Sequence, residues 1–170
     1  GFHDVLQIED HFNDFILITP IHARLGSVAY GTSPGEGVIH LTLRSYRDDD
    51  MEKMTDMLEK MVDEIATNKN LKYDIHYEEV FPATLNDSEC SRVISQVSQR
   101  SGIEPDYLEK PFKWSEDFGH FTAKYKGALF GLGSGKDQPA LHNPDFDFPD
   151  ELIPTGVNIF RDIYLEILNR

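Results

Sequence analysis

Basic residues are scarce in this chain: 16 Lys and Arg stand against 30 Asp and Glu in 170 residues, a formal net charge of −14. Such a surface repels polyanions, so neither a nucleic-acid backbone nor an anionic membrane is an expected partner. Cysteine is nearly absent. Cys90 is the only one, so no disulfide forms within the chain, and a reducing, cytoplasmic location is expected. Apolar runs long enough to span a membrane are missing, and no signal-peptide pattern opens the chain. Internal repeats and low-complexity tracts are also missing. What remains is a soluble chain whose 39% hydrophobic content is enough for an ordinary core.

The first half alternates between strand and helix patterns. Residues 15–21 are rich in Ile, Leu and Phe and predict a buried strand, with Pro20 marking a sheet edge or bend. Gly26, Gly31, Pro34, Gly35 and Gly37 predict a long turn. Residues 38–44 alternate, placing Ile39, Leu41 and Leu43 on one face and His40, Thr42 and Arg44 on the other. Asp48, Asp49 and Asp50 then open a helix, and Asp49 with Glu52 has the spacing of a capping box. Met51, Met54, Met57, Leu58, Met61, Val62 and Ile65 form one apolar stripe at helical spacing, expected to pack into the core. Residues 72–81 alternate again through Tyr73, Ile75 and Tyr77 and predict a further strand. This order predicts an antiparallel sheet with a helix across one face. A ferredoxin-like unit needs one more strand and helix before Phe15, so the unit is incomplete by that count.

Phe81-Pro82-Ala83-Thr84 breaks the pattern and sets the expected domain boundary, giving parts at 1–81 and 82–170. In the second part Asp87 or Ser88 caps a helix to Arg100, stopped by Gly102. Cys90 lies beside apolar positions of that helix and reads as a small core residue. A short helix is expected near Ser115, and a short buried strand over 128–132. A last helix is expected after Pro154, burying Val157, Phe160, Ile163, Tyr164, Ile167 and Leu168.

Several short motifs carry candidate chemistry. Glu116 and Asp117, at an expected helix start, read most simply as groups stabilising that terminus. Gly131, Gly133 and Gly135 lack the spacing and the Lys-Ser/Thr pair of a phosphate loop and read as a tight turn. Arg44 ends a strand, either solvated near Asp48 or presenting its fork to a carboxylate. The histidines at 3, 11, 22, 40, 76 and 120 form no i,i+4 helix pair and no His-x-His strand pair. One histidine alone cannot hold a catalytic zinc, which takes three or more ligands.

The order of these pieces resembles the zinc-dependent aminoacylase/carboxypeptidase family, which includes hippurate hydrolases and other N-acyl amino acid amidohydrolases. Ser115-Glu116-Asp117-Phe118, Gly131-Leu132-Gly133, Leu141-His142-Asn143-Pro144 and Phe146-Asp147-Phe148 resemble the closing segment of its catalytic domain. Residues 29–44 resemble its lid, with Pro34 and Arg44 in register and Gly31 where the family shows asparagine. The resemblance implies an α/β fold: an incomplete ferredoxin-like lid, or dimerisation, domain over 1–81, then the C-terminal segment of a zinc-peptidase catalytic domain over 82–170. It implies that His142 is a metal ligand, that Arg44 and the Gly31 position contact substrate, and that Ser115, Glu116, Asp117, Gly131 and Gly133 shape the cleft. The family's other metal ligands and its catalytic glutamate lie in motifs that this sequence does not contain. The expected function is therefore a part of a metal-dependent hydrolase of N-acyl amino acids or small peptides. In that reading the chain is inactive alone, binds zinc or another divalent metal only within the complete enzyme, and self-associates or dimerises. The alternative is a non-catalytic dimerisation or small-molecule-binding module.

Overall fold

The computed structural model describes residues 12–169 and shows a mixed α/β chain with a small antiparallel sheet. His3 and His11 lie outside the described residues. Two compact units are present: residues 12–83 with Pro111–Glu116, and residues 84–110 with 117–169. Among the described residues no helix is long and apolar enough to cross a membrane.

In the first unit β1 (Ile16–Leu25) and β2 (Gly37–Ser45) form an antiparallel hairpin, and α1 (Asp48–Lys69) packs on one face of it. The methionine stripe does what its spacing predicts. Met54 and Leu58 are buried with Ile18, and Met51, Met61, Leu41 and Leu43 close around them. Ile65, at the far end of the stripe, is exposed. Pro20 does not end β1. The strand bulges between Pro20 and His22 and continues to Leu25. Proline has no N–H to give to the ladder, so an irregularity there costs the sheet little.

The expected capping box does not form. Helix α1 begins directly after Arg47, so all three aspartates sit in its first turn. The Asp49 carboxylate is engaged instead by the Arg47 guanidinium, at 2.8 and 2.7 Å. That hydrogen bond, ahead of the charge attraction itself, holds the Asp49 carboxyl below its ordinary pKa. Asp50 is fully buried. It accepts the main-chain N–H of Asn13 (2.9 Å), the Asn13 side-chain amide (3.1 Å) and the Asp14 N–H (2.9 Å).

The strand expected over 72–81 is extended chain without a ladder, because no neighbouring strand exchanges hydrogen bonds with it among the described residues. It is tied to α1 instead. The hydroxyls of Tyr73 and Tyr77 donate to Asp63 (2.9 Å) and Glu59 (2.8 Å). Partial burial, then the Glu59 contact, pushes the Tyr77 hydroxyl up to about 12.

In the second unit α2 (Ser88–Arg100) packs against α4 (Leu152–Leu168), and a four-residue helix α3 (Gly119–Thr122) lies between them in sequence. Asp87 caps α2 as its position predicts, accepting from the N–H groups of Glu89 and Cys90 at 2.9 and 3.0 Å. Gly102, at φ 74°, ends it: its N–H reaches the Gln99 carbonyl and the Ile103 N–H reaches that of Ser98. These two bonds are a Schellman closure, which favours glycine at the left-handed position.

Three expectations fail in this unit. The short helix starts at Gly119, four residues after Ser115, and neither the Glu116 nor the Asp117 side chain caps it; the Asp117 carbonyl accepts the His120 N–H at 3.0 Å. Residues 128–132 form no ladder strand; the Asn86 amide takes a strand's place, bonding both the N–H and the carbonyl of Leu129 at 2.8 Å. Helix α4 starts two residues before Pro154, which sits in the first turn, where its missing N–H has no intrahelical acceptor to lose. Its packed residue is Ile159, whereas Val157, Phe160, Tyr164, Ile167 and Leu168 of the expected buried face are exposed. The reason is geometric: α2 meets the narrower face containing Ile159, with Arg100 bridging to Glu166 at 2.7 Å.

Candidate functional site

Arg44 and Ser115, 71 residues apart, meet in the first unit. Nη1 of Arg44 donates to the Lys113 carbonyl (2.8 Å) and to Ser115 Oγ (3.2 Å). The hydrophobic alternation of β2 turns Arg44 away from the face covered by α1, and residues 111–116 come back to meet it. Asp48, the neighbour suggested by proximity in sequence, instead accepts the Ala83 N–H at 2.7 Å. A guanidinium carries five donors, and this contact uses one nitrogen, so the Nε/Nη2 edge retains the geometry that matches a carboxylate.

Gly31 lies in the hairpin loop at φ 82°, and a Cβ there would meet nothing within 4 Å. Asparagine also tolerates this left-handed conformation, so the backbone here does not of itself require glycine. Glu116 falls in the first unit and Asp117 in the second. Of the three glycines of the expected turn, Gly135 alone takes a positive φ, 110°.

His142 is the third residue of a turn closed by the Asn143 N–H on the Ala140 carbonyl (3.0 Å), and its φ is 72°. This is the left-handed position of a type II turn, where glycine or asparagine is the usual occupant. Among the described residues no three His, Cys, Asp or Glu side chains stand together as a metal site. The side chains present therefore do not by themselves fit a catalytic metal, and His142 supplies at most one ligand. Two surface hollows of the first unit, about 510 Å³ along the 24–36 loop and about 310 Å³ beside Tyr73, are lined by none of these residues.

Cys90 is partly buried, and burial, followed by its contacts with Asp87, raises its thiol pKa above the ordinary value. The thiolate is the reactive form, so alkylation at pH 7 is expected to run slower than for a free thiol and to accelerate only as pH passes the usual thiol range. Timing iodoacetamide capture across pH checks this; rapid capture at pH 7 would contradict it.

Besides the meeting of Arg44 with Ser115, sequence reasoning missed a second juxtaposition. His22 and His40 face each other across the hairpin, ring centroids 5.5 Å apart. Their separation of 18 residues gave no signal, because the pairing depends on the hairpin register.

The family model described as Peptidase family M20/M25/M40 matches residues 10–166. The chain belongs to that family. The N-acetyldiaminopimelate deacetylase of Lactobacillus helveticus is 28% identical over 144 residues, covering 81% of this chain and 37% of the relative. The enzyme of the same name from Exiguobacterium sibiricum is 25% identical over 133 residues, covering 78% and 35%. The crystal structure of the Bacillus subtilis YXEP protein, described as a dinuclear metal-binding peptidase from the M20 family, superposes with a TM-score of 0.75. Sequence identity there is 15%, with 99% of this chain and 45% of that one covered. At that identity the likeness concerns the fold. The chain spans about a third of the length of the curated relatives it matches. This M20 chain thus matches only a fraction of its relatives' length.

Proposed function

We propose that this chain is one portion of an M20 hydrolase that cleaves the amide bond of N-acyl amino acids or small peptides. The reading rests on the family match across residues 10–166. In it Arg44 receives the substrate carboxylate on its Nε/Nη2 edge, while Ser115 and the Lys113 carbonyl hold the other nitrogen in place. The open backbone at Gly31 leaves room beside the substrate where family members carry an amide. Glu116 in the first unit, and Asp117, Gly131 and Gly133 in the second, are each read as substrate-lining positions of their own unit.

His142 is the metal ligand this chain contributes. A strained backbone position is retained where the surrounding structure or the function requires it, and φ 72° on an imidazole-bearing residue supports that role. A divalent metal in such enzymes acidifies water and polarises the carbonyl. The remaining ligands and the general base lie outside these residues, so the isolated chain is expected to be inactive.

The test assays the purified chain with Zn²⁺, Co²⁺ or Mn²⁺ against N-acyl amino acids and dipeptides. The assay is repeated after adding the portion of the L. helveticus deacetylase that this chain does not cover. No turnover alone and chelator-sensitive turnover in the mixture is the expected result. His142→Gly should abolish it without unfolding the turn, and Arg44→Ala should raise KM for carboxylate substrates. Turnover by the chain alone overturns the expected inactivity. A mixture that forms a complex yet hydrolyses nothing overturns the hydrolase reading.

A further inference from the structure

The hairpin holds a second arrangement of ligating side chains, apart from His142. Below the bulge the ladder pairs Thr19 with Thr42 and Pro20 with Leu41; above it His22 pairs with His40 and Ala23 with Ile39. A regular ladder would have set Ile21 opposite His40 and His22 opposite Ile39. Because side chains alternate faces, His22 would then have pointed to the α1 side, away from His40. The one-residue bulge at Ile21 reverses this and brings both imidazoles onto the face bearing Thr42 and Arg44. Bulges re-aim side chains in this way at functional places in sheets.

We propose that His22 and His40 form a cross-strand site for a borderline divalent cation such as Ni²⁺, Cu²⁺ or Zn²⁺. A ring nitrogen at about 2.1 Å from a metal sets its ring centroid roughly 3.2 Å away, so two ligating rings have centroids roughly 4.5–5.5 Å apart. The observed 5.5 Å, with ring planes 61° apart, falls at the edge of that range. Both rings are exposed, so a cation reaches them and its other positions stay open to water or to a ligand group. Imidazole selects these metals over Mg²⁺ and Ca²⁺, which take oxygen donors. Of the cations flanking the pair on this face, Arg24 is bridged to Glu36 at 3.0 Å, and Arg44 is turned toward the Lys113 carbonyl and Ser115 hydroxyl while keeping its charge. The net charge of −14 further favours a cation.

The test titrates Ni²⁺ into the full chain by calorimetry at neutral pH and follows the imidazole signals by NMR. One equivalent should bind and move the signals of His22 and His40. His22→Ala and His40→Ala should each weaken binding by more than the roughly 10–100-fold that loss of an outer-shell partner costs a metal site. Both residues are exposed, so circular dichroism should show these variants folded. His142→Ala should leave this binding unchanged, which separates the site from the proposed catalytic ligand. No binding, or binding that survives His40→Ala, overturns the proposal and leaves the pair as an aromatic contact. Binding lost in His142→Ala but kept in His22→Ala overturns it too.

Discussion

Replacing Asp50 by alanine should lower the stability of the first unit by about 1.5–3 kcal/mol, because the buried carboxylate accepts three donors from exposed residues and hydrogen bonds to a charged group are worth about that much. Those donors are the N–H of Asn13, its side-chain amide and the N–H of Asp14. All three are anchored to the first turn of α1, where the helix terminus also favours a negative charge. The contact joins the segment entering β1 to the helix that covers the sheet, so its loss loosens both. Asp50→Asn keeps the shape and one acceptor oxygen and should cost less. Urea denaturation of the two variants checks the order. An alanine variant within about 0.5 kcal/mol of wild type, the range of ordinary surface changes, would show that water replaces the carboxylate.

Asp50 also illustrates where sequence reasoning reached its limit. The Asp48–Asp50 run marks the helix start, and the helix is there. Which aspartate does what depends on the direction from which residues 13 and 14 approach, a long-range fact. The methionine stripe was legible because its period of 3.6 residues needs no partner to define a face. Residues 72–81 and 128–132 have strand-like composition, but a ladder needs a neighbouring strand, and none pairs with them among the described residues. For the candidate site, the order of motifs disclosed the family, whereas the joining of Arg44 to Ser115 and of His22 to His40 did not show. Each depends on which segments the fold brings together, and the second on a one-residue bulge.

Helix α4 carries the second large expectation. Its pattern is amphipathic, yet Val157, Phe160, Tyr164, Ile167 and Leu168 are 58–64% exposed, while Ile159 alone is fully buried. These exposed positions lie three, four or seven residues apart and so line one stripe. A contiguous apolar stripe on a free surface drives association. We therefore expect the purified chain to self-associate through this face, the more so because relatives more than twice as long have further polypeptide available to cover it. Replacing Val157, Tyr164 and Leu168 together by glutamine should reduce the weight-average mass in sedimentation to that of one chain, 19.4 kDa. The cost in stability should be small, because none of the three is packed and exposed substitutions usually fall within about 0.5 kcal/mol each. Phe160 is left in place because its ring lies 5.5 Å from that of Phe130 and contributes to the unit itself. A wild-type chain already monomeric at high concentration would sink the expectation. A triple variant that still associates would move the contact to another surface, the exposed edge of the β1–β2 hairpin being the next to test.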